Sequence, residues 1–344
     1  MTDSSIGIIG TATKLPDTIR KNDDPIFDWI HKNHPDGEGL FTGYDRRHVL
    51  AEGETVLDIL EPAARKAIDD AGLDISQIDV VMGCVSPNTY FVPPDLFALT
   101  HRLKFPETTL TIPLANDFSN FNVGVVLADA MIRAGRARNI LVAIGGGWTR
   151  AMDYRTPQAI SAADGAAAAV VGTAPPGKQP RWRLVDAEVI TREQNFGDMY
   201  LVGDRRQVPP KSKVGNPSDP DPLVEEWTGP YYHVTEQGLK DFSSFGGKTA
   251  LLAASRVLQR QGIAPAAVTL TGHQASTKLL DVWKKSLMPG DMFDTIAEYG
   301  NMTVANIPVN LHMMRDKVRT PWVVALSLAG DMHAHAMLLR TPDR

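Results

Sequence analysis

The same succession of elements runs twice along these 344 residues, and that repetition constrains the fold more than any bulk property does. In the first half a strand is expected at 7–10, an amphipathic helix at 55–71 stopping at Gly72, and a buried strand at 79–82. An apolar run at 109–114, a helix ending at Gly135, and strands at 140–144 and 164–172 come next. In the second half strands are expected at 184–190, 268–271, 322–328 and 334–339, and helices at 245–261 and 304–316. Both halves close on strand, glycine turn, strand: NILVAIGGG then AAAAVV, and WVVALSLAG then AHAMLL. No residue period links the halves, so the repetition is one of structure. Strands alternating with helices imply an α/β protein with mixed sheets covered by helices.

A chain of this length accommodates two fused halves with a well-buried core. The formal charge of -5 offers no basic face, so a nucleic-acid partner is not expected. No apolar run reaches transmembrane length, and MTDSSIGIIG leads directly into a strand, so no membrane association and a cytoplasmic location are expected. The single cysteine, Cys84, excludes an internal disulfide framework. It ends an apolar run and reads as a small buried hydrophobe. The triplet 145–147 is no phosphate loop, because neither Lys-Ser/Thr nor a helix comes after it.

The stretch 113–124, PLANDFSNFNVG, joins a strand-like run to a helix. A turn of this kind presents free backbone N–H groups at the positive end of the helix dipole, a common seat for a nucleophile. FSNFNVGVVLADA matches, without gaps, the nucleophile segment of the ketoacyl-acyl-carrier-protein synthase III branch of the thiolase superfamily, A-A-C-S-G-F-x-x-G-L-x-x-A-D-A. The chain therefore resembles that family, with Phe118 standing where the family has its cysteine. TGHQASTK (271–278) resembles P-H-Q-A-N-x-R and YGNMTVANIPVNL (299–311) resembles Y-G-N-T-S-A-A-S-I-P-L-A-L, which carries over His273 and Asn301 as the family's histidine and asparagine.

The resemblance implies a thiolase fold, with duplicated βαβαβαββ halves in five α-β-α-β-α layers. Residues 1–173 would carry the elbow. Residues 174–344 would carry His273, Asn301 and a proline-rich loop at 207–230 read as a cover over the substrate entrance. Substrate contacts are implied for Trp29, Arg46 and Arg47, the arginines meeting phosphates; the alternative is a solvated turn. SPNTYFVPP (86–94) resembles the loop by which family members close a twin subunit's pocket with Tyr90 and Phe91, which otherwise read as core. Coenzyme A or phosphopantetheine would arrive as part of the substrate, with no separate cofactor.

Two departures matter. Phe118 cannot be acylated; Ser119 is a substitute nucleophile candidate, and Asp117 is a weaker one whose alternative role is to cap the elbow helix. The family's G-F-G-x-G-L-T-W-G-A turn, a source of an oxyanion-hole N–H, corresponds here to SLAGDMHAHA (327–336), keeping Gly330 and adding Asp331, His333 and His335. The two histidines share one strand face, but no third ligand is apparent, so no metal is expected.

Chemically, His273 and Asn301 are neutral donors for a thioester oxygen as charge develops, and His273 is alternatively a general base. Three functions are consistent with this. One is an acyltransferase or condensing enzyme on an acyl thioester of coenzyme A or acyl carrier protein, in secondary-metabolite or fatty-acid-like synthesis, without a cysteine acyl-enzyme. The second is an inactive partner subunit of a cysteine-bearing relative, and the third a thioester decarboxylase or hydrolase. A homodimer or a heterodimer is implied.

Overall fold

The computed structural model describes residues 5–34, 41–202, 231–330 and 332–343. The first half contributes β1 (Ile6–Lys14), a small pair β2 (Ile19–Lys21) and β3 (Arg46–His48), then β4 (Val80–Ser86), β5 (Leu110–Pro113), β6 (Ile140–Gly147) and β7 (Asp164–Thr173). Its helices are α1 (Asp28–Asn33), α2 (Val56–Asp70), α3 (Leu96–Leu103) and α4 (Asn120–Arg133). The second half contributes β8 (Arg183–Thr191), β9 (Met199–Val202), β10 (Tyr231–Val234), β11 (Val268–Gly272), β12 (Asp291–Met292), β13 (Trp322–Ala329) and β14 (His333–Arg340). Helices α5 (Glu236–Ser244), α6 (Ala250–Gln261), α7 (Thr277–Leu287), α8 (Ile296–Tyr299) and α9 (Asn306–Met314) lie between them.

The expected duplication is present in the sheets. One runs β1-β7-β6-β4-β5 and the other β8-β14-β13-β11-β12. Position by position the two agree in sense: the first two pairings are antiparallel and the last two parallel. Helix α4 packs on β4, β6 and β7 of one sheet and on β8 and β14 of the other, while α9 touches β1, β7, β11 and β13. These two helices form the middle of five layers, with α2 and α3 outside one sheet and α6 and α7 outside the other.

Sequence explains each layer. Helix α9 is buried from Asn306 to Leu311 without an exposed side, as a helix enclosed between sheets must be. Helix α2 buries one face and is closed by a reciprocal cap between Thr55 and Asp58. Strands β6, β7, β13 and β14 are buried almost throughout, which is why they read as continuous apolar runs rather than alternating ones.

Two expectations need correction. Gly145, Gly146 and Gly147 are not a turn: they extend β6 and pair with Ala166, Gly165 and Asp164. Glycine is required there because a Cβ on Gly145 or Gly147 would fall 2.5 or 2.6 Å from Val56, at the start of α2. The helix expected from 245 begins at Glu236, capped by the Thr235 side chain. Gly238 obscures that start in the sequence, yet it serves a close approach, since a Cβ would lie 2.4 Å from the Asp198 carbonyl. A π-turn at Phe245–Thr249 joins α5 to α6, and Trp283 Nε1 donates to the Gly246 carbonyl at 2.7 Å. The proline-rich stretch 207–230 and Asp331 lie outside the described residues. Among the described residues, no helix is long and apolar enough to cross a membrane.

Candidate active site

The elbow is a 3-10 turn, Asp117–Ser119, running into α4. Asp117 takes a left-handed φ of 42°, a conformation that a short polar residue tolerates better than a branched one. Its carboxylate Oδ2 accepts the Gly330 N–H at 2.8 Å. Asp117 therefore does not cap α4: it ties the elbow to the turn between β13 and β14. Gly330 belongs to the stretch that the resemblance credits with an oxyanion-hole donor, and its own N–H is engaged by Asp117.

Phe118 projects from the elbow into a cavity of about 320 Å³. Its ring lies parallel to the His273 imidazole, with centroids 5.3 Å apart and planes 11° apart. Trp148 meets Phe118 edge-on at 5.4 Å, and Tyr232, brought in by the β9–β10 pair, meets Trp148 at 4.5 Å. Ser119 points elsewhere. It is 1% exposed, is not among the cavity residues, and its Oγ lies 2.6 Å from Ser327 Oγ. The structure thus brings Phe118, but not Ser119, to the cavity.

His273 comes directly after β11, its backbone N–H bonded to the Leu326 carbonyl of β13 at 3.0 Å. Asn301 is held against the first half: its N–H donates to the Ser161 carbonyl at 2.9 Å and its carbonyl accepts from Ala163 at 3.0 Å. Both side chains reach the same cavity. Burial, with no compensating partner charge, lowers the His273 pKa to about 3, so the imidazole is neutral at ordinary pH. Asn301 Oδ1 accepts from the Thr303 N–H at 3.0 Å and from Asn306 Nδ2 at 2.9 Å. Because a backbone N–H can only donate, the Thr303 bond fixes the amide, with Oδ1 turned inward and Nδ2 as the group left for the cavity.

The remaining predicted residues divide. Arg47 is fully enclosed: it donates to Asn22 Oδ1 at 2.8 Å and to the Ile160 carbonyl at 2.5 Å, and its guanidinium lies over Phe27 and Tyr44. Burial lowers its pKa to about 10. It is a core cation out of reach of a substrate phosphate, which corrects the surface-turn expectation as well. Arg46 is exposed and pairs with Glu298 at 3.2 Å. Trp29 is half-exposed and meets His34, itself a cavity residue, with ring centroids 5.4 Å apart and planes tilted by 57°. Tyr90 and Phe91 are 65% and 74% exposed, so they are not core. Cys84 is buried among apolar side chains and its pKa is pushed up to about 12 by burial, as an inert thiol should be.

His333 and His335 do share a face of β14, with ring centroids 6.4 Å apart. Among the described residues no group of three or more His, Cys, Asp or Glu is placed to hold a metal. Sequence reasoning passed over Trp148, Tyr232, Arg155 and Asn306. Trp148 was signalled by its place directly after the Gly145–Gly147 run, whereas Tyr232 and Arg155 reach the cavity from segments with no pattern of their own.

Five layers, duplicated sheets and an elbow facing a buried histidine–asparagine pair define the thiolase fold. The sequence profile of 3-oxoacyl-[acyl-carrier-protein] synthase III matches residues 114–192, from the elbow through β8. The chain is 28% identical over 321 residues to the beta-ketoacyl-[acyl-carrier-protein] synthase III of Alkalilimnicola ehrlichii, covering 88% of each chain. Against the enzyme of the same name from Oleidesulfovibrio alaskensis it is 26% identical over 352 residues, covering 97% of this chain and 98% of that one. Its fold superposes on the priming beta-ketosynthase of the R1128 polyketide biosynthetic pathway with a TM-score of 0.81 at 20% identity, covering 98% and 96% of the two chains. Sequence and fold alike make the chain similar to the ketoacyl synthase III proteins of the thiolase superfamily.

Proposed function

We propose that the protein acts on an acyl thioester, carried on coenzyme A or acyl carrier protein, without storing the acyl group on the enzyme. The observation that carries this reading is the convergence of His273 and Asn301 on the cavity that Phe118 also lines. The names of the relatives, synthases of acyl-carrier-protein thioesters, supply the substrate class.

In the favoured reaction a malonyl-type thioester loses carbon dioxide. The C–C bond breaks, and its electron pair moves onto the thioester oxygen as an enolate. His273 Nε2–H and Asn301 Nδ2–H donate to that oxygen, in a cavity lined largely by apolar atoms, where such bonds count for more than in water. The enolate carbon then attacks the carbonyl of a second acyl thioester, and the thiolate leaves. Protonation of the enolate instead would make the protein a decarboxylase. With its pKa near 3, His273 is a weak base, which favours the donor role over general-base catalysis.

Three facts support the absence of an acyl-enzyme. Phe118 fills the elbow position, Ser119 Oγ is directed to Ser327, and Cys84 is buried with a raised pKa. The test is turnover of a panel of acyl- and malonyl-thioesters by wild type, His273→Ala, Asn301→Ala and Ser119→Ala, with intact mass recorded. Loss of either donor is expected to lower kcat by about 100- to 1,000-fold, with Ser119→Ala active and no mass gained. No turnover of any thioester would remove the reading.

A second reading, a non-catalytic subunit paired with a cysteine-bearing relative, is favoured by the exposed tip Tyr90, Phe91 and Val92. Sedimentation of the purified protein separates the two: a self-associated species that turns over thioester excludes the dependent subunit.

A further inference from the structure

Asn306 is the first residue of α9 and is fully buried. Its Oδ1 accepts the Met302 N–H at 2.9 Å, and since that donor is a backbone amide, the orientation of the Asn306 side chain is set: Nδ2 points the other way. Nδ2 has two hydrogens and two neighbours. One is Asn301 Oδ1 at 2.9 Å, the other His273 Nδ1 at 3.4 Å. A nitrogen that receives an N–H is unprotonated, so the His273 proton sits on Nε2.

From this we infer that Asn306 is a positioning residue which holds His273 in its Nε2–H tautomer and keeps Asn301 turned with Nδ2 outward. The inference rests on the reading of these two side chains as the working donors. One amide, itself anchored by one backbone N–H, sets the polarity of His273 and reinforces the orientation that the Thr303 N–H gives Asn301.

The duplication of the fold supplies an internal control. Asn120 begins α4 as Asn306 begins α9, each after a 3-10 turn. Asn120 Oδ1 accepts from the N–H four residues back, Asn116, at 2.7 Å, matching the Asn306–Met302 bond. That shared bond is the structural duty of an asparagine at a helix start. The side chains differ in what else they reach: Asn120 gives Nδ2 to the Asp117 carbonyl at 2.6 Å, inside the same turn, and also bonds Cys84, neither of which lines the cavity, whereas Asn306 directs both hydrogens onto side chains that do. The difference is what turn-capping alone leaves unexplained.

The test is a long-range ¹H–¹⁵N correlation spectrum of the full-length protein with ¹⁵N-labelled histidine at pH 7, the His273 signals being those lost in His273→Ala. Wild type is expected to give the Nε2–H pattern. Asn306→Asp keeps the shape and the bond to Met302 but replaces a donor by an acceptor, so the His273 signals should reverse to the Nδ1–H pattern. Asn306→Ala, which supplies neither, should give both tautomers, and it decides the matter should the aspartate variant not fold. A wild-type Nδ1–H pattern would overturn the inference, as would an unchanged Nε2–H pattern in either folded variant. These spectra need no turnover, so failure of the proposed function would appear separately, as an inactive protein with the tautomer intact.

Discussion

Phe118 and His273 lie face to face, ring centroids 5.3 Å apart, in the wall of one cavity. A cysteine in place of the phenyl ring would hold its sulfur at the start of α4, beside a neutral imidazole. Helix N-termini lower a thiol pKa, so Phe118→Cys is expected to gain the mass of an acyl group when incubated with acetyl-coenzyme A, and wild type to gain none. With the Gly330 N–H given to Asp117, acylation should be slow. Intact-mass spectrometry of a folded variant that stays unmodified after prolonged incubation would show that Phe118 does not occupy a nucleophile's position.

The depressed pKa of His273 makes a statement about rate. A neutral donor with a pKa near 3 is in its working form throughout pH 5–8. The kcat/KM profile for a thioester is therefore expected to carry no acid limb from His273 in that range. A limb centred near pH 6.5 that disappears in His273→Gln would mean the imidazole works as a solvated base.

How far the sequence carried this picture can be judged from single positions. The halves, the elbow and the His273–Asn301 pair were legible because each is local: a periodic run, a strand-to-helix junction, a short matching motif. Arg47 was misplaced because burial of a charge depends on what surrounds it, here Asn22, Phe27, Tyr44 and the Ile160 carbonyl. Gly145–Gly147 looked like a turn because the reason for glycine, the approach of Val56 from α2, comes from about ninety residues away. Asn306 was quoted within a motif without its role being visible, since the roles of its two hydrogens emerge only when β11 and α9 are packed together.

The two neighbouring arginines should behave oppositely. Removing Arg47 leaves the Ile160 carbonyl without its donor and strips two aromatic faces of their cation. Arg47→Ala is expected to cost about 3 kcal/mol of unfolding free energy. The exposed Arg46–Glu298 pair should cost no more than about 0.5 kcal/mol when Arg46 becomes alanine. Urea denaturation of both variants measures this directly; equal midpoints would contradict the core placement of Arg47.

Acid stability depends on the buried imidazoles. His335 is 3% exposed and its Nδ1 has no hydrogen-bond partner among the described residues; burial first, then the neighbouring His333, lower its pKa to about 4. In the unfolded chain a histidine takes up its proton near pH 6.5. Between those values the unfolded state binds more protons than the folded one, so stability is complete above about pH 6.5 and declines as the pH falls toward 4. His273 acts in the same direction down to about pH 3. His312, also held below its usual range by burial, adds to this, and His335→Leu removes one of these contributions. On going from pH 7 to pH 5, wild type is expected to lose roughly 2 kcal/mol more unfolding free energy than the variant. The comparison is made by urea denaturation at both pH values, and its sign is decisive: parallel losses in the two proteins would mean that His335 is already protonated, or solvated, inside the fold.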